Sequence, residues 1–274
     1  MWIAAILLAL VIAIFVTQPL LLKAVMSKYK STDQFLVLEQ DARINYEAQA
    51  KDNALVLRTV LDSSQKAVED ALGAAFSKPI EVYVCASQEV FNEYVFLSRN
   101  VRGAVYWGKL FLSPGAFNRG SLAELTTHEL THYLFFTHLG EKAHIEGIPL
   151  WFREGIAVYV ANGGARYTKD RAVSSVMRND ERTAYLSGRV NFWFHSKDPR
   201  DAVTKSGVPD LLLYNVGALF VHFMHDSEPV KFDKLIQLLL SGTEFDQALQ
   251  VSYARNTESL LQEFTRYLTQ NVQL

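Results

Sequence analysis

The sequence predicts an α+β domain behind one membrane-spanning N-terminal helix, and three observations carry that prediction. The chain opens on an uncharged apolar run, Trp2 to Leu22. Short runs that alternate apolar and polar residues cluster between residues 42 and 112, as in strands with one buried face. From Ser121 onward the apolar residues recur mostly at helical spacing. Strands gathered ahead of helices describe a small N-terminal sheet with helices, then a mainly helical C-terminal part. The expected divisions are an anchor over residues 1–23, a short tether over 24–34 and one folded domain over 35–274.

Composition narrows the chemistry. The 274 residues are 49% hydrophobic and 20% charged, a globular balance, and a net charge of −2 gives no support to a nucleic-acid partner. The single cysteine, Cys85, excludes an intramolecular disulfide framework and a cysteine-based zinc cluster. Any metal must therefore be held by His, Asp or Glu.

Trp2–Leu22 is long enough to cross a bilayer as a helix of about 20 residues. A cleaved signal fits it less well, because no basic side chain precedes the run and "LKAVMSKYK" offers no convincing cleavage site. Membrane lipid is thus an expected partner, and the chain is expected to be a single-pass protein of the cell membrane. Lys23, Lys28 and Lys30 follow the span and favour a cytoplasmic domain. With one segment and almost no N-terminal tail, the side of the membrane stays open. Ala5, Ala9, Ala13 and Thr17 form a small-xxx-small stripe through which two anchors could pair as a weak homodimer. An alanine-rich membrane helix without a partner is the plainer reading of so loose a motif.

After the tether, "ARINYEA" alternates through Ile44 and Tyr46 and reads as a strand. A long amphipathic helix is expected over Ala54–Phe76. "PIEVYVCAS" is a second strand, which makes Cys85 a sheet residue and not a nucleophile. "AVYWGKLFLSP" gives two short β runs, Ala104–Trp107 and Lys109–Leu112, around Gly108, either a hairpin or a kinked edge strand. Ser121 to Glu124, "SLAE", has the form of a capping box and marks a helix start, with Gly140 as its stop. Further helices are expected over Asp210–Asp226, Val230–Ser241 and near Thr257–Val272. Between Asn162 and Pro209 a scatter of basic residues reads as a solvated surface.

The predicted helix from Ser121 carries "TTHELTHYLFF", Thr126 to Phe136. His128 and His132 are one turn apart, with Cβ atoms about 5–6 Å from each other on one face. That spacing lets both imidazoles reach one tetrahedral zinc ion, and Glu129, one step around, can stand beside the metal as a general base. Such a spacing arises by chance in a chain of this size about one time in a hundred. Leu130, Tyr133, Leu134, Phe135 and Phe136 surround these polar residues with apolar side chains, so leaving the three unsatisfied would cost several kcal/mol, on the order expected for buried polar groups. A third ligand is needed. Glu154, in the apolar "PLWFREGIAVYV" that begins at Pro149, is the first choice; His138, His144 and Glu146 lie in the polar connection "HLGEKAHIEGI", where solvated side chains are the default.

Taken together, "HELTH", a connection, and "PLWFREGIA" resemble the gluzincins, the zinc peptidases with a glutamate third ligand, and especially their peptidase-MA-like group. The order of elements from about Ala42, and "LLYNVGALFVHFM" after the motif, resemble that group more loosely. The resemblance implies a zincin-like fold and Zn2+ held by His128, His132 and Glu154. It also implies that Glu129 activates water against a peptide carbonyl, and that the strand at Lys109–Leu112 holds a peptide by strand addition. It further implies an oxyanion-stabilising Tyr or His from a later segment, with Tyr214 the first choice and Tyr185, His195 and His222 alternatives. One position departs from the pattern: relatives often carry an acidic residue four after the third ligand, where this chain has Val158.

Two functions follow as expectations. The first is a membrane-anchored zinc metallopeptidase acting on a peptide or protein substrate. The second is a catalytically inactive zincin-like binding module tethered to the membrane, for which Val158 is the best support and the retained Glu129 the main objection.

Overall fold

A computed structural model describes residues 19–96, 101–118, 120–161 and 179–271. Its mixed α+β architecture combines one small five-stranded sheet with a majority of helices. Two compact units divide the chain: residues 1–59 with 81–120, and residues 60–80 with 121–274.

The first unit holds the sheet. After helix α1 (Pro19–Tyr29) come β1 (Leu36–Leu38) and β2 (Asp41–Tyr46), then the long α2 (Lys51–Leu72), which leaves this unit after Thr59. Next are β3 (Val82–Val84), α3 (Gln88–Tyr94), β4 (Gly103–Tyr106), β5 (Lys109–Leu112) and the short α4 (Gly115–Asn118). The sheet order is β1-β2-β3-β5-β4. β2, β3 and β5 run parallel, and the two outer strands are antiparallel to their neighbours. Parallel neighbours need a crossover, which α2 provides between β2 and β3. β3 is buried on both faces and so lacks the half-polar character its alternation suggests. Cys85 is fully buried in an aromatic cluster with Phe35, Tyr83, Phe91, Tyr94 and Phe111. Burial pushes its thiol well above the usual range, in keeping with a packing residue.

Two expectations need correction here. Lys109–Leu112 is not open to an added strand, because β5 is already paired with β3 on one side and β4 on the other. Among the described strands the sheet ends at β4 and β1 instead. At β1, Leu36 and Val37 are exposed and the pairing with β2 shifts register between Val37 and Leu38. The second concerns the tether: residues 24–29 are the end of α1, tied to the β4–β5 hairpin. The run expected to form the anchor, with its alanine stripe, lies over residues 1–18 outside the described residues. Among the described residues no single helix is long and apolar enough to cross a membrane.

That hairpin turns on Trp107 and Gly108, with φ of 50° and 79°. Positive φ at both central residues is what a two-residue type I′ loop requires. A bulky side chain pays about 1–3 kcal/mol of strain in that region. The indole of Trp107 donates to Ser27 Oγ at 3.2 Å, and Lys28 Nζ stands 5.0 Å from the centre of its ring. A hydrogen bond and a cation–π contact together offset about 1–2.5 kcal/mol. Trp107→Gly is therefore expected to change global stability little but to free α1, seen as faster amide exchange over residues 24–29. Unchanged exchange there would mean that the indole does not hold the helix.

The second unit is helical. It contains the rest of α2, then α5 (Leu122–Leu139), α6 (Glu141–Gly147), α7 (Leu150–Ala161), α8 (Asn179–Leu186), α9 (Asn191–His195) and α10 (Pro199–Ser206). It ends with α11 (Asp210–Ser227), α12 (Pro229–Leu240), α13 (Phe245–Tyr253) and α14 (Thr257–Asn271). Its core is aromatic: Trp151 stacks on Phe220 with ring centres 4.8 Å apart, and Phe220 stacks on Phe264 at 5.0 Å. The basic stretch expected to be open surface is partly α8 to α10, while Arg166, Lys169, Arg171 and Arg178 lie outside the described residues.

Candidate metal centre

α5 and α7 build the site. Ser121 caps α5 as its sequence predicts, Oγ accepting from the Glu124 amide at 3.3 Å. At the other end Gly140, with φ of 77°, closes the helix and its N–H bonds the Phe136 carbonyl. The C-terminal half of α5 is tied to the loop that precedes β3. The Tyr133 hydroxyl donates to the Pro79 carbonyl at 2.9 Å, and Ser77 Oγ donates to the Thr137 carbonyl at 2.6 Å. α7 starts one residue after Pro149, whose carbonyl accepts from the amides of Phe152 and Arg153.

α7 is positioned by α11. Gly155 lies against Gly217 so closely that a Cβ on Gly155 would stand 2.7 Å from the Gly217 carbonyl carbon and oxygen. Two helices meet here through their backbones. Glu154, the residue beside that crossing, has its reach set accordingly.

His128, His132 and Glu154 converge. The two Nε2 atoms are 3.3 Å apart, and Glu154 Oε2 lies 3.5 Å from that of His132 and 3.6 Å from that of His128. Among the described residues this is the one group of His, Cys, Asp and Glu whose ligand atoms are close enough to share a metal ion. A tetrahedral ion with bonds of about 2.0–2.2 Å has ligand–ligand edges of about 3.3–3.6 Å, so the three atoms match one face of such a tetrahedron. Protons alone suit the geometry less well, since 3.5–3.6 Å is long for a charged N–H···O bond. The three side chains are only 19%, 12% and 14% exposed. Burial pushes the Glu154 carboxyl up, but His132 and His128 outweigh it and hold the group well below the usual carboxylate range. A metal fits this donor set.

Glu129 is buried on the same turn of α5, about 100° around the axis from His128. The remaining candidates separate by position. His138 is committed to the Ala75 carbonyl at 2.9 Å, and Glu146 is an exposed partner of Lys142. Both are thereby set apart from the triad. His144 corrects the expectation of a solvated connection: it sits in α6, is buried, stacks on Phe135 and lies with its ring centre 5.6 Å from that of His132. Burial first, then His132 and Arg153, push it well below the usual histidine range. Its Nδ1 has no hydrogen-bond partner.

Tyr214, in the second turn of α11, is half-buried with its ring 5.3 Å from that of Trp193. His195 is exposed at the end of α9. His222 Nε2 faces Asp226 at 3.3 Å, two turns beyond Tyr214 along α11. The side chain of Tyr185 lies outside the described residues. Val158 is half-buried on α7.

Two neighbours of the triad escaped the sequence reading, His144 as a buried residue and Arg153 altogether. For Arg153 the only signal was a basic residue inside an otherwise apolar helix start, next to a buried acid. Comparisons with protein-family models, with curated proteins and with solved structures found no match.

Proposed function

We propose that the chain is a zinc-dependent metallopeptidase of the gluzincin kind, with a zincin-like fold, anchored in a membrane by its N-terminal apolar run. The observation that carries this reading is the convergence of His128, His132 and Glu154 on one point while Glu129 stays buried on the same helix turn. A purely structural metal site has no use for that second carboxylate. Zinc, when bound, supplies Lewis acidity toward a water molecule and a substrate carbonyl. His128, His132 and Glu154 would hold it through their Nε2, Nε2 and Oε2 atoms. Glu129 takes the proton of the attacking water and returns it to the leaving amine as the peptide C–N bond breaks. Tyr214 is the residue assigned to donate a hydrogen bond to the developing oxyanion.

Val158 favours a second reading, a catalytically inactive zincin-like binding module tethered to the membrane, with or without metal. The two part on one experiment with the full-length chain: metal content by mass spectrometry beside cleavage of a peptide library, for wild type and His132→Ala. About one zinc per chain with cleavage, both lost in His132→Ala, supports the peptidase. Zinc without cleavage of any peptide favours the module. A folded wild type that holds no metal defeats the peptidase and leaves the module as the better account.

A further inference from the structure

The two oxygens of Glu154 face different partners. Oε2 is the atom that lies 3.5 and 3.6 Å from the imidazoles of His132 and His128. Oε1 lies 3.9 Å from Nε of Arg153, an ion-pair contact longer than a hydrogen bond. Arg153 precedes Glu154 on α7, and neighbouring helix positions diverge by about 100°, so their meeting requires the long arginine side chain to fold back. It is held in that shape. Its Nη1 donates to the Ile145 carbonyl at 2.8 Å, and the side chain is only 13% exposed. An arginine buried to this extent is kept by specific partners, here one carbonyl and one carboxylate.

We propose that Arg153 is a positioning residue for the metal centre: it holds Oε1 of Glu154 outward so that Oε2 alone is presented to the ion. The inference rests on the reading of the triad as a metal site. A carboxylate with a free second oxygen can turn to bind through both, which would occupy the coordination position a water needs. An outer partner removes that freedom and sets the carboxylate's angle. Arg153 acts on the carboxylate ligand from the residue before it. Because its Nη1 donates to the Ile145 carbonyl, Arg153 links the end of α6 to α7.

A purely structural staple between α6 and α7 would require the same bond to Ile145, so the test must read the ion. Full-length wild type, Arg153→Gln and Arg153→Lys are compared for zinc affinity by chelator competition and for the visible spectrum of the cobalt-substituted protein. Arg153→Gln is expected to bind zinc about 10–100-fold more weakly, the usual effect of losing an outer partner. Its cobalt spectrum is expected to lose intensity as a fifth ligand atom joins. Arg153→Lys, which keeps charge but not the fork, is expected to recover part of both. A wild-type affinity and spectrum in Arg153→Gln, with or without a lower Tm, would overturn the role of Arg153 and leave the metal centre standing. Wild type that binds neither zinc nor cobalt overturns the metal centre, and this inference with it. Should Arg153→Gln fail to fold, Arg153→Lys decides alone: an unshifted affinity and spectrum there count against the proposal, and a weakened affinity with a shifted spectrum supports it.

Discussion

Glu129→Gln is expected to lower peptide turnover by about 10²–10⁴-fold, the usual contribution of a general base. The same substitution is expected to leave the zinc content unchanged. The side chains are nearly isosteric, so the buried space on α5 stays filled. What disappears is the capacity to accept the proton of the attacking water. His128, His132 and Glu154 are untouched, so the three donor atoms that would hold the ion remain. Turnover in zinc-loaded protein and metal content by mass spectrometry, on the same sample, give the answer. Turnover that survives Glu129→Gln would remove Glu129 from the mechanism. Zinc lost along with turnover would make Glu129 a ligand and not a base.

Gly155→Ala is expected to cost about 1–3 kcal/mol of stability, in the range of overpacked cores. For a unit of this size each kcal/mol lowers Tm by about 2–4 °C. The added Cβ would sit 2.7 Å from the backbone carbon and oxygen of Gly217 and 3.1 Å from the Ala218 nitrogen. None of these is the end of a flexible side chain, so α7 and α11 must move apart. Glu154 is carried on α7, and zinc affinity should fall together with Tm. Gly147→Ala is the control. Its Cβ would meet nothing within 4 Å and its φ is not positive, so it should be neutral or stabilising by up to about 1 kcal/mol. Equal Tm values for the two variants would show that the crossing at Gly155 has slack to give.

Much of the centre was legible because its signals are local. The spacing of His128 and His132 is a property of one helix turn, and the Ser121 cap and Gly140 stop are read within four residues of the helix ends. Glu154 was legible through contrast, a charge in an apolar run. What the sequence did not yield depends on contacts between distant elements. That β5 is interior follows from its pairing with β3, residues 82–84, which no local pattern declares. That His144 is buried depends on Phe135 and His132 lying across from it. The glycine contact of α7 with α11 joins residues 62 positions apart, and either glycine alone reads as a weak spot in a helix. Trp107 was misplaced at the end of a strand because aromatic residues favour strands, whereas the tertiary contact with Ser27 holds it in a turn.

The edge at β1 bears on how the protein behaves at high concentration. Leu36 and Val37 are apolar and exposed, the kind of edge that invites a second chain to add its own strand. Yet β1 is three residues long, and its register slips between Val37 and Leu38. In-register stacking of strands needs about six or seven regular residues. A second chain that meets this edge finds two apolar side chains and no continuous ladder to extend, which makes β1 a poor template for a growing fibril.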